Sequence, residues 1–105
     1  MMGEGDFQHR LAGLRTRSVA RSRQDRAYLE KALAAFAQGD ESEVEEMRRV
    51  AHVLAGTAGT FGFAQLGAAA DEFEASLLSA EADRNVTLTA GRNVLAELAE
   101  IEGSE

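Results

Sequence analysis

The sequence predicts an all-α protein, an antiparallel up-down-up-down four-helix bundle with an additional short N-terminal helix. Three observations carry that expectation. Proline is absent from the 105 residues, and alanine, leucine, glutamate and arginine dominate, a composition that permits long unbroken helices and gives strands little support. Apolar residues recur at three- and four-residue spacing, with no surviving strand-like alternation. The polar breaks between these runs are short, which makes successive helices antiparallel neighbours.

Each element has its own signature. Phe7, Leu11 and Leu14 mark the short first helix, with Asp6 as its N-cap; "RTRSVARSR" then loses periodicity, so a bend is expected there. A second helix from about Ser22 carries the stripe Leu29, Leu33, Phe36, and Gly39 is placed to end it in a left-handed turn. In "GDESEVEE", Asp40 with Glu43 or Ser42 with Glu45 has the spacing of a capping box. The helix that follows runs through Val44, Met47, Ala51, Leu54 and Ala58, a bundle seam. Another begins near Gly62 or Phe63 and presents Phe63, Leu66, Ala70, Phe73 and Leu77. After the polar turn "SAEADRN", the last helix offers Leu88, Gly91, Leu95 and Leu98, with Val94 and Ile101 beside them, and "GSE" is expected to fray.

Composition bounds the function. The chain is one small domain, divided in this reading into an N-terminal basic segment, 1–21, and the bundle, 22–105. It has no cysteine, so disulfide frameworks and thiolate metal sites are excluded. No apolar run approaches the ~18 residues of a membrane span, and no signal-peptide core opens the chain. A cytoplasmic monomer is the expectation. The net charge of −7 argues against nucleic acid or an anionic membrane as the main partner. Six arginines (Arg10, Arg15, Arg17, Arg21, Arg23, Arg26) nevertheless crowd residues 10–26 against the single Asp25. That segment is read as packing across, or lying solvated beside, the acidic body; an interaction arm is the other reading.

The stretch "HVLAGTAGTFG", residues 52–62, is the most informative. Its G-x-x-G-x-x-G spacing is not that of a dinucleotide fingerprint, and no Lys-Ser/Thr pair follows as a P-loop needs. Placed on the helix at ~100° per residue, His52 falls about 130° from the apolar seam and faces solvent. Gly56 and Gly59 share that face, with Ala55 beside them and Arg48 one turn earlier. Glycine inside a helix costs about 1 kcal/mol relative to alanine. Two such residues make sense where a large partner must approach the imidazole over bare backbone. The other reading is a helix C-terminus at Gly59 and a tolerated glycine at position 56. His9 has no such surroundings and is read as a plain surface residue.

With that phase in place, "AHVLAGTAGTFGFAQLGAAADEFE" resembles the signature of histidine phosphotransfer (HPt) domains of bacterial phosphorelays. The matching residues are His52, Leu54, Gly56, Thr57, Ala58, Gly62, Leu66, Ala70 and Glu74, about two dozen positions in span, and Gly39-Asp40 before the histidine helix also fits. The four-helix bundle is the fold the resemblance implies. Without a flanking kinase or receiver domain in the sequence, a free-standing phosphotransfer protein is expected. The resemblance implies that His52 accepts a phosphoryl group from a receiver-domain aspartate, or from a hybrid histidine kinase, and passes it to another receiver domain. No cofactor of its own is expected, because Mg²⁺ belongs to the receiver, and no kinase or hydrolase activity. Attack requires neutral imidazole, the form an exposed histidine mostly takes at pH 7.

The resemblance also casts Glu74 as the residue that hydrogen-bonds Nδ1 of the histidine and leaves Nε2 free to attack; the alternative is an ordinary solvated acid of "DEFE". The lysine that most members carry three residues after the histidine is Ala55 here. Arg48, or less directly Arg49, is placed to pair the phosphoryl oxygens instead. Both arginines equally fit i, i+3 pairs with Glu45 and Glu46. The docking patch is read as Ala55, Gly56, Gly59 and Thr60 with Arg49. Because of Ala55, a degenerate module that docks a receiver or kinase without being phosphorylated is the alternative function. A structural helical module that oligomerises through its basic first segment is a third.

Overall fold

The structure is a computed structural model and describes residues 4–79 and 82–103. The described residues form four helices: α1 (Glu4–Ala37), α2 (Val44–Phe61), α3 (Ala64–Leu78) and α4 (Arg84–Gly103). Among the described residues there is no strand. Packed neighbours run in a ring, α1 against α2, α2 against α3, α3 against α4, and α4 back against α1. Helix α3 is therefore diagonal to α1, as an up-down-up-down bundle with short loops requires.

The core follows the predicted stripes. Leu29, Leu33 and Phe36 of α1 meet Met47, Ala51, Leu54 and Ala58 of α2, Leu66, Ala70 and Phe73 of α3, and Leu88, Val94, Leu98 and Ile101 of α4. Phe73, Leu29, Met47, Leu98 and Val94 are the largest side chains fully withdrawn from water. Gly91 is needed where α4 meets its neighbours: a Cβ there would stand 2.7 and 2.8 Å from the two Leu33 methyls and 3.1 Å from the Phe73 ring. In the seam of α4 Val94 is fully buried, while Leu95, expected in the seam, is half-buried at its edge.

Three expectations are corrected. A separate short N-terminal helix does not appear, because the described backbone runs as one helix from Glu4 to Ala37, across the expected bend. Alanine, arginine and serine in "RTRSVARSR" have enough intrinsic helix preference to continue a helix where apolar periodicity lapses. Asp6 consequently lies within α1 rather than at a cap; the side chains at 6, 7, 11 and 14 fall outside the described residues, as do Ala80 and Glu81 of the expected turn and the last two residues of the tail. The capping box is also absent. Glu43 occupies the N-cap of α2 without a side-chain cap bond, because its carboxylate accepts from the Tyr28 hydroxyl at 2.8 Å. Asp40 instead closes a local turn by accepting from the Ser42 amide at 2.9 Å. Gly39 ends α1 with φ +95°, and Gly62 ends α2 with φ +78° and its amide bonded to the Ala58 carbonyl, the left-handed closures expected of glycine.

At the opposite end of the bundle the Arg26 guanidinium bonds Glu102 at 3.0 and 3.1 Å, tying α1 to the last turn of α4. It also reaches Glu30 at 2.8 Å. The arginine holds the Glu102 carboxyl below its usual range. Arg26, the last of the six clustered arginines, thus pairs with two acidic residues.

Candidate functional site

Helix α2 turns its apolar seam inward and so carries His52 outward. The His52 side chain is 72% exposed, and its Nδ1 lies 3.0 Å from Oε2 of Glu74, which is 17% exposed. The numbers matter together: the ring is open to a partner while the carboxylate that holds it is largely enclosed. An ionised carboxylate only accepts hydrogen bonds, so a hydrogen bond across this contact has Nδ1 as its donor.

Small residues line the contact between α3 and α2. Gly67 of α3 faces Ala55 and Ala58: a Cβ at position 67 would sit 3.6 Å from the Ala58 methyl and 3.8 Å from the Ala55 carbonyl oxygen. Two helical turns further along α3, Glu74 is then close enough to meet the imidazole. The reading of the sequence did not single out Gly67; the signal was "LGAAA", a small-residue run opposite "LAGTA".

Arg48 belongs to the same cluster. It bonds Glu45 through Nε at 3.1 and 3.3 Å and through Nη2 at 3.1 Å, and its Nη1 stands 3.8 Å from the Oε2 of Glu74 that His52 also contacts. Arg48 thus forms the expected i, i+3 pair and also approaches the carboxylate that contacts His52. The link to Glu74 was not foreseen, although Arg48 at i−4 from His52 marks the shared face. Glu45 is 80% exposed, so this pair is weak and readily exchanged for another anion. Arg49 is bonded to Glu46 at 3.0 and 3.1 Å and senses Asp25 and Tyr28, which turns it toward α1 and away from the imidazole. The structure brings together His52, Glu74 and Arg48, and leaves Arg49 outside that cluster.

C-terminal to His52 the helix face is bare. A Cβ added at Gly56 or Gly59 would meet nothing within 4 Å, so neither glycine is required by packing. Thr60 is exposed and turns its hydroxyl back onto the Gly56 carbonyl at 3.2 Å, and Ala55 is half-buried against the core. Val53, next to His52, is one of three exposed large hydrophobic residues among those described and was not anticipated. His9 is exposed on α1. Among the described residues, no group of three or more His, Asp or Glu side chains is placed to hold a metal ion. No described helix is long and apolar enough to cross a membrane.

A family model, the Hpt domain, matches residues 13–103. Searches of curated proteins and of solved structures found no match.

Proposed function

The chain belongs to the Hpt domain family, and from that premise we propose that it is a phosphorelay intermediate with His52 as its phospho-acceptor. The family places it in phosphotransfer of two-component signalling. The finer reading is that His52 takes a phosphoryl group from a receiver-domain aspartate, or from a hybrid kinase, and delivers it to a second receiver. The observation that carries this reading is the exposed imidazole held through Nδ1 by Glu74 at 3.0 Å.

The chemistry follows from that contact. Nε2 attacks phosphorus in line with the acyl-phosphate oxygen; an N–P bond forms as the O–P bond breaks, and the aspartate carboxylate leaves. The ring gains positive charge while keeping its Nδ1 proton, and the Glu74 carboxylate beside that proton stabilises the developing imidazolium. Delivery to the next receiver is the reverse process. The receiver contributes the Mg²⁺ and the acidic cluster, and the present chain contributes the nucleophile, its orientation and a surface to dock on. Arg48, released from the exposed Glu45, supplies the positive charge that the lysine absent at position 55 would provide. The glycine-cleared face of Gly56, Gly59 and Thr60, with Ala55 at its edge, is the docking ground, and Arg49 lies outside it. A carrier of this kind needs no enzymatic activity of its own, and the cytoplasm, where receiver domains work, is its expected location.

Mass spectrometry of the chain after incubation with a phosphorylated receiver domain tests the reading. Phosphate is expected on His52 alone. A stable complex with the receiver and no modification of His52 would favour the degenerate docking module instead.

A further inference from the structure

Three charged or titratable residues of α2 share one stripe. At 100° per residue Glu45 and His52 stand about 20° apart around the helix, and Arg48 lies between them along its axis. Measured by rise, Arg48 is about 6 Å from His52 and Glu45 about 10 Å. The Arg48 guanidinium is engaged on the far side, by Glu45. Its Nε meets the two Glu45 oxygens at 3.1 and 3.3 Å, and its Nη2 meets Oε2 at 3.1 Å. Nη1 points the other way and stands 3.8 Å from Oε2 of Glu74, the oxygen that His52 contacts through Nδ1.

The two carboxylates are not equivalent partners. Glu74 is largely enclosed and already engaged by the imidazole, whereas Glu45 is 80% exposed. An exposed pair is worth only a few-fold in an equilibrium constant, so Glu45 is the partner that Arg48 gives up first. A phosphoryl group on Nε2 of His52 brings roughly two further negative charges to the same stripe. A guanidinium fork bonds such oxygens best with its N–H groups free, and here Glu45 occupies them. Direct repulsion between Glu45 and the phosphoryl group acts over about 10 Å through solvent, close to the screening length at physiological salt. Competition for Arg48 therefore outweighs direct repulsion as the route by which Glu45 reaches the phosphoryl group.

We propose that Glu45 is a positioning residue that holds Arg48 off the phosphoryl group, so that the Arg48–Glu45 bond sets how far phosphoryl exchange with a receiver runs toward His52. This role rests on the phosphotransfer reading and deepens it. Loading His52 requires Arg48 to exchange Glu45 for phosphoryl oxygens; on unloading, Glu45 recaptures the guanidinium. Glu45 thus favours release, and a carrier must release as well as accept. A cation at position 55 would lack this restraint within its own helix. The α2 positions three and four residues from it, 51, 52, 58 and 59, are Ala, His, Ala and Gly, none of them an acid.

The plateau partition of radiolabel between a phosphorylated receiver domain and the full chain tests this. The plateau ratio reflects the relative stability of the two phosphorylated proteins and is insensitive to how fast they dock. Glu45→Gln should shift it toward phosphorylated His52 by about two- to fivefold at low salt, and the gain should shrink as salt is raised. In the Arg48→Ala background, Glu45→Gln should change nothing. The variant Arg48→Ala, Ala55→Lys should be equally indifferent to Glu45→Gln. A merely structural role for Glu45 would not depend on Arg48 in this way. If the native chain is labelled on His52 and Glu45→Gln reaches the same plateau, the inference is overturned while the phosphotransfer reading stands. A gain that persists in Arg48→Ala also overturns it, because Glu45 would then act through its own charge. A native chain that takes up no label removes the phosphotransfer reading, and the role of Glu45 with it.

Discussion

Gly56 separates what the fold needs from what a partner needs. It is well inside α2 (Val44–Phe61), its φ is not positive, and a Cβ there would meet nothing within 4 Å. Gly56→Ala should therefore recover the full helix-propensity difference, about 0.8–1.0 kcal/mol. For a domain of this size that corresponds to a rise in Tm of roughly 4–8 °C. Gly91→Ala gains the same propensity but drives a methyl to 2.7 and 2.8 Å from the Leu33 methyls and 3.1 Å from Phe73. Overpacking of that kind costs about 1–3 kcal/mol, so the net effect at position 91 is a loss of about 0–2 kcal/mol. Gly56→Gln isolates the functional side: it is helix-compatible, yet it plants a long side chain on the face beside His52. It should match or exceed the native stability while phosphoryl uptake from a receiver falls by about tenfold or more, the equivalent of about 1.4 kcal/mol of lost docking. Urea unfolding and a timed uptake assay on the same samples read both quantities. If Gly56→Gln takes up phosphate at the native rate, the bare face is not where the receiver docks; if Gly56→Ala lowers stability, the backbone there is not the open helix described.

Other expectations concern the histidine's neighbours and the α1–α2 contact. Glu74→Gln keeps a hydrogen-bond acceptor for Nδ1 but removes the charge opposite the developing imidazolium; with the ring largely in solvent, uptake should slow by roughly tenfold rather than vanish, and an unchanged rate would remove Glu74 from the mechanism. Arg48→Ala should slow uptake, and Ala55→Lys introduced into that variant should restore it, because the lysine supplies the same charge from the next turn; no effect of Arg48→Ala would leave the arginine a mere partner of Glu45. Burial raises the Asp25 carboxyl above its ordinary range, with Arg21 and Arg49 opposing the shift. A carboxyl whose folded pKa is raised binds its proton more readily in the folded state, so ionisation at neutral pH is destabilising and the loss is relieved as pH falls. Asp25→Asn should thus be more stable than the native chain at pH 7, and the difference should close as the medium is acidified; a constant difference across pH would exclude the titration as its cause.

The bundle was legible because its stripes are regular. Leu29, Leu33 and Phe36, or Met47, Ala51 and Leu54, leave no other face to bury, and glycine at 39 and 62 closes two helices in the left-handed turns that only it adopts cheaply. The continuity of α1 was not legible, because the bend was inferred from a lapse in apolar periodicity, and periodicity reports burial rather than helicity. Capping at α2 failed for a different reason: Tyr28, distant in sequence, claims the Glu43 carboxylate. At the site, the solvent-facing phase of His52 and its company of glycines follow from helical geometry alone. The pairing with Glu74 needed a second helix in register and came from the family resemblance. The Arg48–Glu74 approach depends on the spacing between helices, which single-helix patterns do not encode.

The central claim, that His52 carries the phosphoryl group, is tested most directly by transfer from a radiolabelled, phosphorylated receiver domain to the native chain and to His52→Gln. The native chain should take up label as acid-labile, alkali-stable phosphate and return it to a second receiver, while His52→Gln stays unlabelled. Equal labelling of His52→Gln, or label that is stable to acid, would contradict the account.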